Sequence, residues 1–104
     1  MTDFEFLQAV RAKIDKPEHW TQQANARDSR DNWVHVRDIA ATQWCLLGAA
    51  EVVEPNMMVT LREALDFPSL SAMTFWNDAP ERTHAEVLAR LDEAIEREEG
   101  VKNG

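Results

Sequence analysis

The chain has a single cysteine, Cys45, and therefore cannot form an internal disulfide. Small secreted domains often depend on such bridges, so a reducing compartment is the simpler setting for this sequence. The first residues, MTDFEFLQAV, are acidic where a signal peptide would carry positive charge. No apolar run approaches the ~18 residues that a membrane span requires. We therefore expect a cytoplasmic protein that does not enter a membrane.

Positive charge is also scarce. The net charge is −8, from 11 Lys and Arg residues against 19 Asp and Glu residues, and residues 51–104 hold 12 of the acidic side chains but only five of the basic ones. An excess of negative charge repels phosphate backbones and anionic lipids. The composition predicts no direct binding to nucleic acid and favours a protein partner, in particular a basic one.

The three glycines form neither a glycine-rich phosphate loop nor a Gly-x-Ser-x-Gly elbow. Three histidines, His19, His35 and His84, accompany Cys45, but none of these four residues has the spacing of metal ligands. The sequence therefore predicts no metal site and no cofactor.

Hydrophobic periodicity predicts a mainly α fold of four to five helices packed around a central apolar helix over about residues 39–53. Two short β-prone runs add one short two-stranded β-hairpin over about residues 20–36. The length suits a single globular domain over residues 1–99, with Gly100 ending the last helix and a disordered tail over residues 100–104.

Capping boxes mark the starts of the first and last helices. Thr2 is followed three residues later by Glu5, and Thr83 is followed in the same way by Glu86. Before the second box, Asn77 to Pro80 has the composition of a loop.

Two motifs resemble those of a known family. WCLLGA at residues 44–49 and WNDAPERT at residues 76–83 are similar to motifs in a family of small proteins of unknown function from bacteria and phages. The resemblance covers about residues 18–97. Members usually carry a glycine near residues 28–32, where this chain has Arg30-Asp31-Asn32. The resemblance implies one conserved domain and no particular activity.

Cys45, together with His84 and Asp78 or Asn77, has the residue types of a thiol nucleophile with its base and orienting group. The predicted helix places Cys45 in its apolar middle, where burial raises the pKa of a thiol and hides it from substrate. We therefore interpret Cys45 as a small core residue, and the sequence favours a protein without enzymatic activity.

Polar and aromatic residues on the predicted irregular segments are the candidate contacts for a ligand or partner. A structural role explains several of them better than a binding role does, because Asn77 can end a helix and Asp78 can fix the turn or pair with Arg82. The candidates are Trp20, Trp33, Trp76, Asn77, Asp78, Arg82 and His84.

Three hypotheses of function follow. The leading one is a small acidic, non-enzymatic interaction or regulatory protein of phage or prophage origin. The first alternative is a small-molecule binder or enzyme that uses the loop at residues 76–78. The second alternative is an acidic mimic of DNA, which requires the carboxylates to form one continuous stripe. The sequence leaves the oligomeric state open.

Overall fold

The computed structural model describes residues 1–103, with side chains as far as Gly100, and shows a mainly α protein with a small antiparallel sheet, as predicted. Two short 3-10 turns, Pro17–His19 and Pro55–Met57, connect the main elements. In chain order these elements are α1 (Asp3–Lys13), β1 (Ala26–Arg27), β2 (Gln43–Trp44), α2 (Leu46–Val53), α3 (Met58–Ala64), α4 (Leu70–Asp78) and α5 (His84–Asn103).

Helix α1 begins with the predicted capping box. The Thr2 hydroxyl accepts a hydrogen bond from the Glu5 backbone N–H at 3.1 Å, and the Glu5 carboxylate accepts one from the Thr2 N–H at 2.9 Å. Phe6, Leu7 and Val10 recur at helical spacing and are fully buried. Through this face α1 packs against α2 and α5.

The central apolar helix begins later than predicted. Helix α2 starts at Leu46 rather than near Ile39, which is fully exposed. Asp38, directly before the predicted helix, forms a tight turn in which its side chain accepts from the Ala40 N–H at 2.8 Å. A short polar side chain that bonds the backbone nearby competes with helix formation, and this explains the wrong boundary.

The two-stranded sheet is present, but its strands differ from the predicted hairpin over residues 20–36. Strand β1 pairs with β2, in the register Ala26 with Trp44 and Arg27 with Gln43. Trp33 forms only a single bridge, to Arg27. The Trp44 side chain is buried, and its indole N–H donates to the Val36 carbonyl at 3.1 Å. Long-range pairing of this kind overrides the local helical pattern of residues 39–45.

Gly48 allows α2 to lie against the irregular segment before β1. A Cβ atom at this position would lie 2.0 Å from the backbone oxygen of Asn25. Only glycine permits this close approach of helix and backbone.

The start and end of α3 differ in how they are capped. At the start, α3 has no side-chain cap, and the Glu54 side chain accepts from the Asn56 N–H and caps the preceding 3-10 turn. At the other end, Arg90 donates to the Leu65 carbonyl at 2.8 Å and Arg97 donates to the Ala64 carbonyl at 2.6 Å. These arginines of α5 satisfy carbonyls that the end of α3 leaves without intrahelical partners.

Two further boundaries correct the sequence analysis. Helix α4 continues through Asn77 and Asp78, so the predicted loop begins only at Ala79. Helix α5 continues through Gly100 to Asn103, since a single exposed glycine costs a helix only about 1 kcal/mol. Part of the predicted disordered tail, Gly104, lies outside the described residues.

Candidate functional site

The predicted site residues separate into two groups. Trp33 lies on the irregular segment and is 74% exposed. The other six lie around the C-terminal end of α4 and the start of α5, where they bond one another or the neighbouring backbone; they are Trp20, Trp76, Asn77, Asp78, Arg82 and His84.

Asn77 is the centre of the second group and is 1% exposed. Its Oδ1 accepts from the Trp20 indole N–H at 2.9 Å and from the Leu46 backbone N–H at 3.2 Å. Its Nδ2 donates to the Thr21 carbonyl at 3.2 Å and to Asp78 Oδ1 at 2.9 Å. The buried amide thus has partners at both ends, and it joins α4 to the start of α2 and to the irregular segment.

Asp78 and the adjoining backbone complete this connection. Asp78 Oδ1 accepts from the Gln23 backbone N–H at 2.9 Å, which holds Gln23 in a left-handed conformation with φ 64°. Gln22 donates from its amide to the carbonyls of Asn77 and Ala79, at 2.9 and 2.8 Å. These bonds give Asn77 and Asp78 a structural role at the end of α4.

Trp76 and Arg82 form a stacked pair. The Arg82 guanidinium carbon lies 4.0 Å from the centre of the Trp76 ring, and Arg82 Nε donates to the Trp76 carbonyl at 2.9 Å. Arg82 also contacts the Glu86 carboxylate at 3.2 Å. With its charge neutralised and its face covered, Arg82 serves to fix the turn between α4 and α5.

His84 also has internal partners. Its Nε2 lies 2.7 Å from the Ile14 carbonyl, and its ring centre lies 6.0 Å from that of Trp20. The contact with Ile14 ties the start of α5 to the end of α1.

A cleft of about 390 Å³ opens beside Trp33, and Asp78 of α4 is also among its lining residues. This volume is within the range of small-ligand and side-chain sites. Its walls come from residues 23–26, residues 33–36, the start and middle of α2, and one face of α4. The polar and aromatic residues that line it include Asn25, Trp33, His35, Cys45, Glu51 and Asp78.

The cleft is negatively charged. Among the described residues, its charged lining side chains are Glu51 and Asp78. Arg37 lies close by, but it donates to the backbone carbonyl of Glu51 at 3.0 Å. The Glu51 carboxylate forms no ion pair with any side chain of residues 1–100. The Glu51 carboxylate and the exposed Trp33 indole therefore line the same cleft.

Cys45 lies at the buried side of the cleft and is 3% exposed. It caps α2 rather than lying in the middle of a helix, and its Sγ accepts from the Gly48 N–H at 3.3 Å. Burial raises the pKa of the thiol, and the Asp78 carboxylate raises it further, while hydrogen bonds from Gly48 and Leu47 oppose the shift. A protonated, buried thiol is a poor nucleophile. The prediction that Cys45 is buried is confirmed, but the prediction that it lies in the middle of the helix was wrong.

Sequence reasoning missed the cleft residues Asn25, His35 and Glu51. Glu51 did carry a signal, because it is the one charged side chain between Ile39 and Val53 in an otherwise apolar run. Asn25 and His35 carried no comparable signal, because their proximity depends on how the irregular segment folds.

The described residues hold neither a metal-ligand cluster nor a membrane-spanning helix. They contain no group of three or more His, Cys, Asp or Glu side chains that could hold a metal ion. Within the same part of the chain, no helix combines the length and the apolar character needed to cross a membrane.

The fold and the cleft together define a small, mainly α protein with an acidic cleft that Trp33 lines. The chain belongs to DUF6197, a family of unknown function, whose model matches residues 1–97. Neither a curated protein nor a solved structure matches the chain.

Proposed function

We propose that this protein is a non-enzymatic interaction protein that binds a basic partner protein through the cleft beside Trp33. The observation that carries the proposal is an indole 74% exposed next to an acidic cleft. Tryptophan is enriched among the residues that dominate binding energies at protein interfaces. An acidic chain also attracts a basic partner over distances of about one Debye length, which speeds association.

The cleft supports binding better than catalysis. Its thiol is buried and has a raised pKa, and His84, the base considered beside it, bonds the Ile14 carbonyl instead. A nucleophile needs a base within about 3.2 Å, and the contacts of the Cys45 sulfur are Gly48 N and Asn25 Oδ1.

The alternatives have less support. A small-molecule site at residues 76–78 would need several free polar groups, but both ends of the Asn77 amide and the Oδ1 atom of Asp78 already bond other parts of the chain. An acidic mimic of DNA needs a continuous stripe of carboxylates, whereas Glu86, Asp92 and Glu93 of α5 lie next to arginines.

The proposal is tested by affinity purification from the native host with three tagged baits: the unchanged protein, Trp33→Ala and Phe75→Ala. Phe75 is a matched control, since it is equally exposed, at 77%, but does not line the cleft. We expect the unchanged protein and Phe75→Ala to retain one basic protein in stoichiometric amount. Loss of a dominant tryptophan typically costs about 2 kcal/mol or more, so Trp33→Ala should retain at least tenfold less.

Two results would contradict the proposal. The first is the absence of any stoichiometric protein partner. The second is a partner that Trp33→Ala retains as well as the unchanged protein does.

A further inference from the structure

The tryptophans of this protein differ in what covers their rings. The Lys13 ammonium lies 4.4 Å from the centre of the Trp44 ring, and the Arg82 guanidinium carbon lies 4.0 Å from that of Trp76. Trp20 packs against the His84 ring. Within residues 1–100, no cation and no aromatic ring lies against Trp33. Trp33 is therefore the tryptophan with a ring available to a cation from outside.

The surroundings of Trp33 suit a cation. An indole attracts a cation through its ring quadrupole, and the attraction is strongest when water is partly excluded. The cleft beside the ring excludes part of the solvent, and it carries the Glu51 and Asp78 carboxylates with no lysine or arginine among its described lining residues. Asn25 Oδ1, which accepts a weak hydrogen bond from the Cys45 thiol at 3.8 Å, is a further acceptor.

Arginine fits this arrangement better than lysine. A guanidinium is planar, so it can lie flat on an indole and still donate sideways to several acceptors, whereas an ammonium is a compact, strongly hydrated charge. Arg82 shows the same combination within this protein, since it stacks on Trp76 and also donates to the Trp76 carbonyl and to Glu86. The acceptors of the cleft come from separate elements, which favours a donor with several N–H groups.

We propose that an arginine side chain of the basic partner occupies the cleft, with its guanidinium on the Trp33 ring and its N–H groups directed to Glu51 and Asp78. This inference rests on the proposed function, because it names the chemistry that the same site recognises. It adds a requirement that the proposed function alone does not make, namely discrimination between arginine and lysine.

The test uses the full chain and a capped tripeptide, alanine-arginine-alanine, titrated while the four indole N–H signals are followed by NMR. We expect the Trp33 signal to shift with saturation in the millimolar range, as a single cation–aromatic contact with charge assistance allows. The lysine and citrulline versions of the peptide should bind at least about fivefold more weakly. Citrulline keeps the planar shape without the charge, so it separates stacking from electrostatics.

Variants identify the contacts. Trp33→Phe assigns the indole signal, and Trp33→Ala should abolish saturable binding, as detected through the backbone amides of residues 33–36. Glu51→Gln should weaken binding about threefold or more, while Glu63→Gln removes a carboxylate outside the cleft and should leave binding unchanged. Unchanged signals from the other three tryptophans show that each variant is folded.

The inference is overturned if the arginine peptide does not shift the Trp33 signal, if lysine binds equally well, or if Glu51→Gln and Glu63→Gln behave alike. The proposed function fails separately, when the native host yields no basic partner that depends on Trp33. A Trp33-dependent partner together with equal binding of arginine and lysine peptides would retain the function and remove the arginine assignment.

Discussion

Asn77 shows how one side chain can hold several segments of a small fold together. It supplies the acceptor for the half-buried Trp20 indole N–H and for the buried Leu46 backbone N–H. A buried donor without an acceptor costs about 1–3 kcal/mol, so the loss of one amide affects two donors at once.

We predict that Asn77→Ala lowers the free energy of unfolding by about 3–5 kcal/mol, because it leaves these two donors unsatisfied and removes two bonds made by Nδ2. Urea unfolding followed by tryptophan fluorescence measures the change. Asn56→Ala is the matched control: Asn56 is exposed, and its replacement should change the free energy by at most about 0.5 kcal/mol. A loss below about 1 kcal/mol for Asn77→Ala would mean that the network is dispensable.

At the scale of elements, the close contact between α2 and the segment before β1 depends on Gly48. The two glycines of the described helices differ sharply in their surroundings. A Cβ atom on Gly48 would lie 2.0 Å from the Asn25 oxygen, while one on Gly100 would meet nothing within 4 Å. The same substitution should therefore have opposite effects at the two positions.

We predict that Gly48→Ala destabilises the protein by about 1–3 kcal/mol or more, because the backbone of residue 25 has to move away from α2. Gly100→Ala should stabilise it by up to about 1 kcal/mol, since alanine is the better residue in an exposed helix. Thermal unfolding of both variants measures the difference. If both shift the melting temperature in the same direction, either the α2 contact or the continuation of α5 past Gly100 is wrong.

The start of α5 makes stability depend on pH. The Thr83 backbone N–H and hydroxyl bond the Glu86 carboxylate, and together with Arg82 they hold the pKa of Glu86 below its ordinary value of 4.5. Because the folded-state pKa is the lower one, this carboxylate contributes stability that is fully present above about pH 4.5 and is lost as the pH falls through the folded-state pKa.

We therefore expect the melting temperature to fall on acidification below about pH 4.5, and Glu86→Gln to reduce that fall. Glu81→Gln is a control for the removal of one glutamate charge, since Glu81 is exposed and forms no ion pair with the side chains of residues 1–100. Melting curves between pH 7 and pH 3 compare the three proteins. An acid dependence that Glu86→Gln leaves unchanged would show that the capping box contributes nothing to it.

At the scale of the whole molecule, the sequence predicted those features of the fold that depend on residues close together in the chain. The capping boxes at Thr2 and Thr83 and the helical class of the fold are confirmed. The prediction that residues 39–53 form one helix was wrong at its start, where β2 lies. An apolar run does not reveal that its first part pairs with a distant strand.

In the candidate site, too, local features were predicted and long-range contacts were not. Most of the predicted polar and aromatic residues do lie together, but they bond the fold itself, and only Trp33 is left largely exposed. The cleft beside Trp33 combines residues 23–26, residues 33–36, α2 and α4. No local sequence pattern indicates that these segments meet. The acidic surroundings of Trp33 could therefore be seen only in the structure.

Amide hydrogen exchange on the complex with the native partner tests the central claim that this cleft is the binding surface. We predict that partner binding slows exchange at residues 23–26 and 33–36 and leaves the exposed face of α5 unchanged. Protection confined to α5, with residues 33–36 exchanging as in the free protein, would contradict the account.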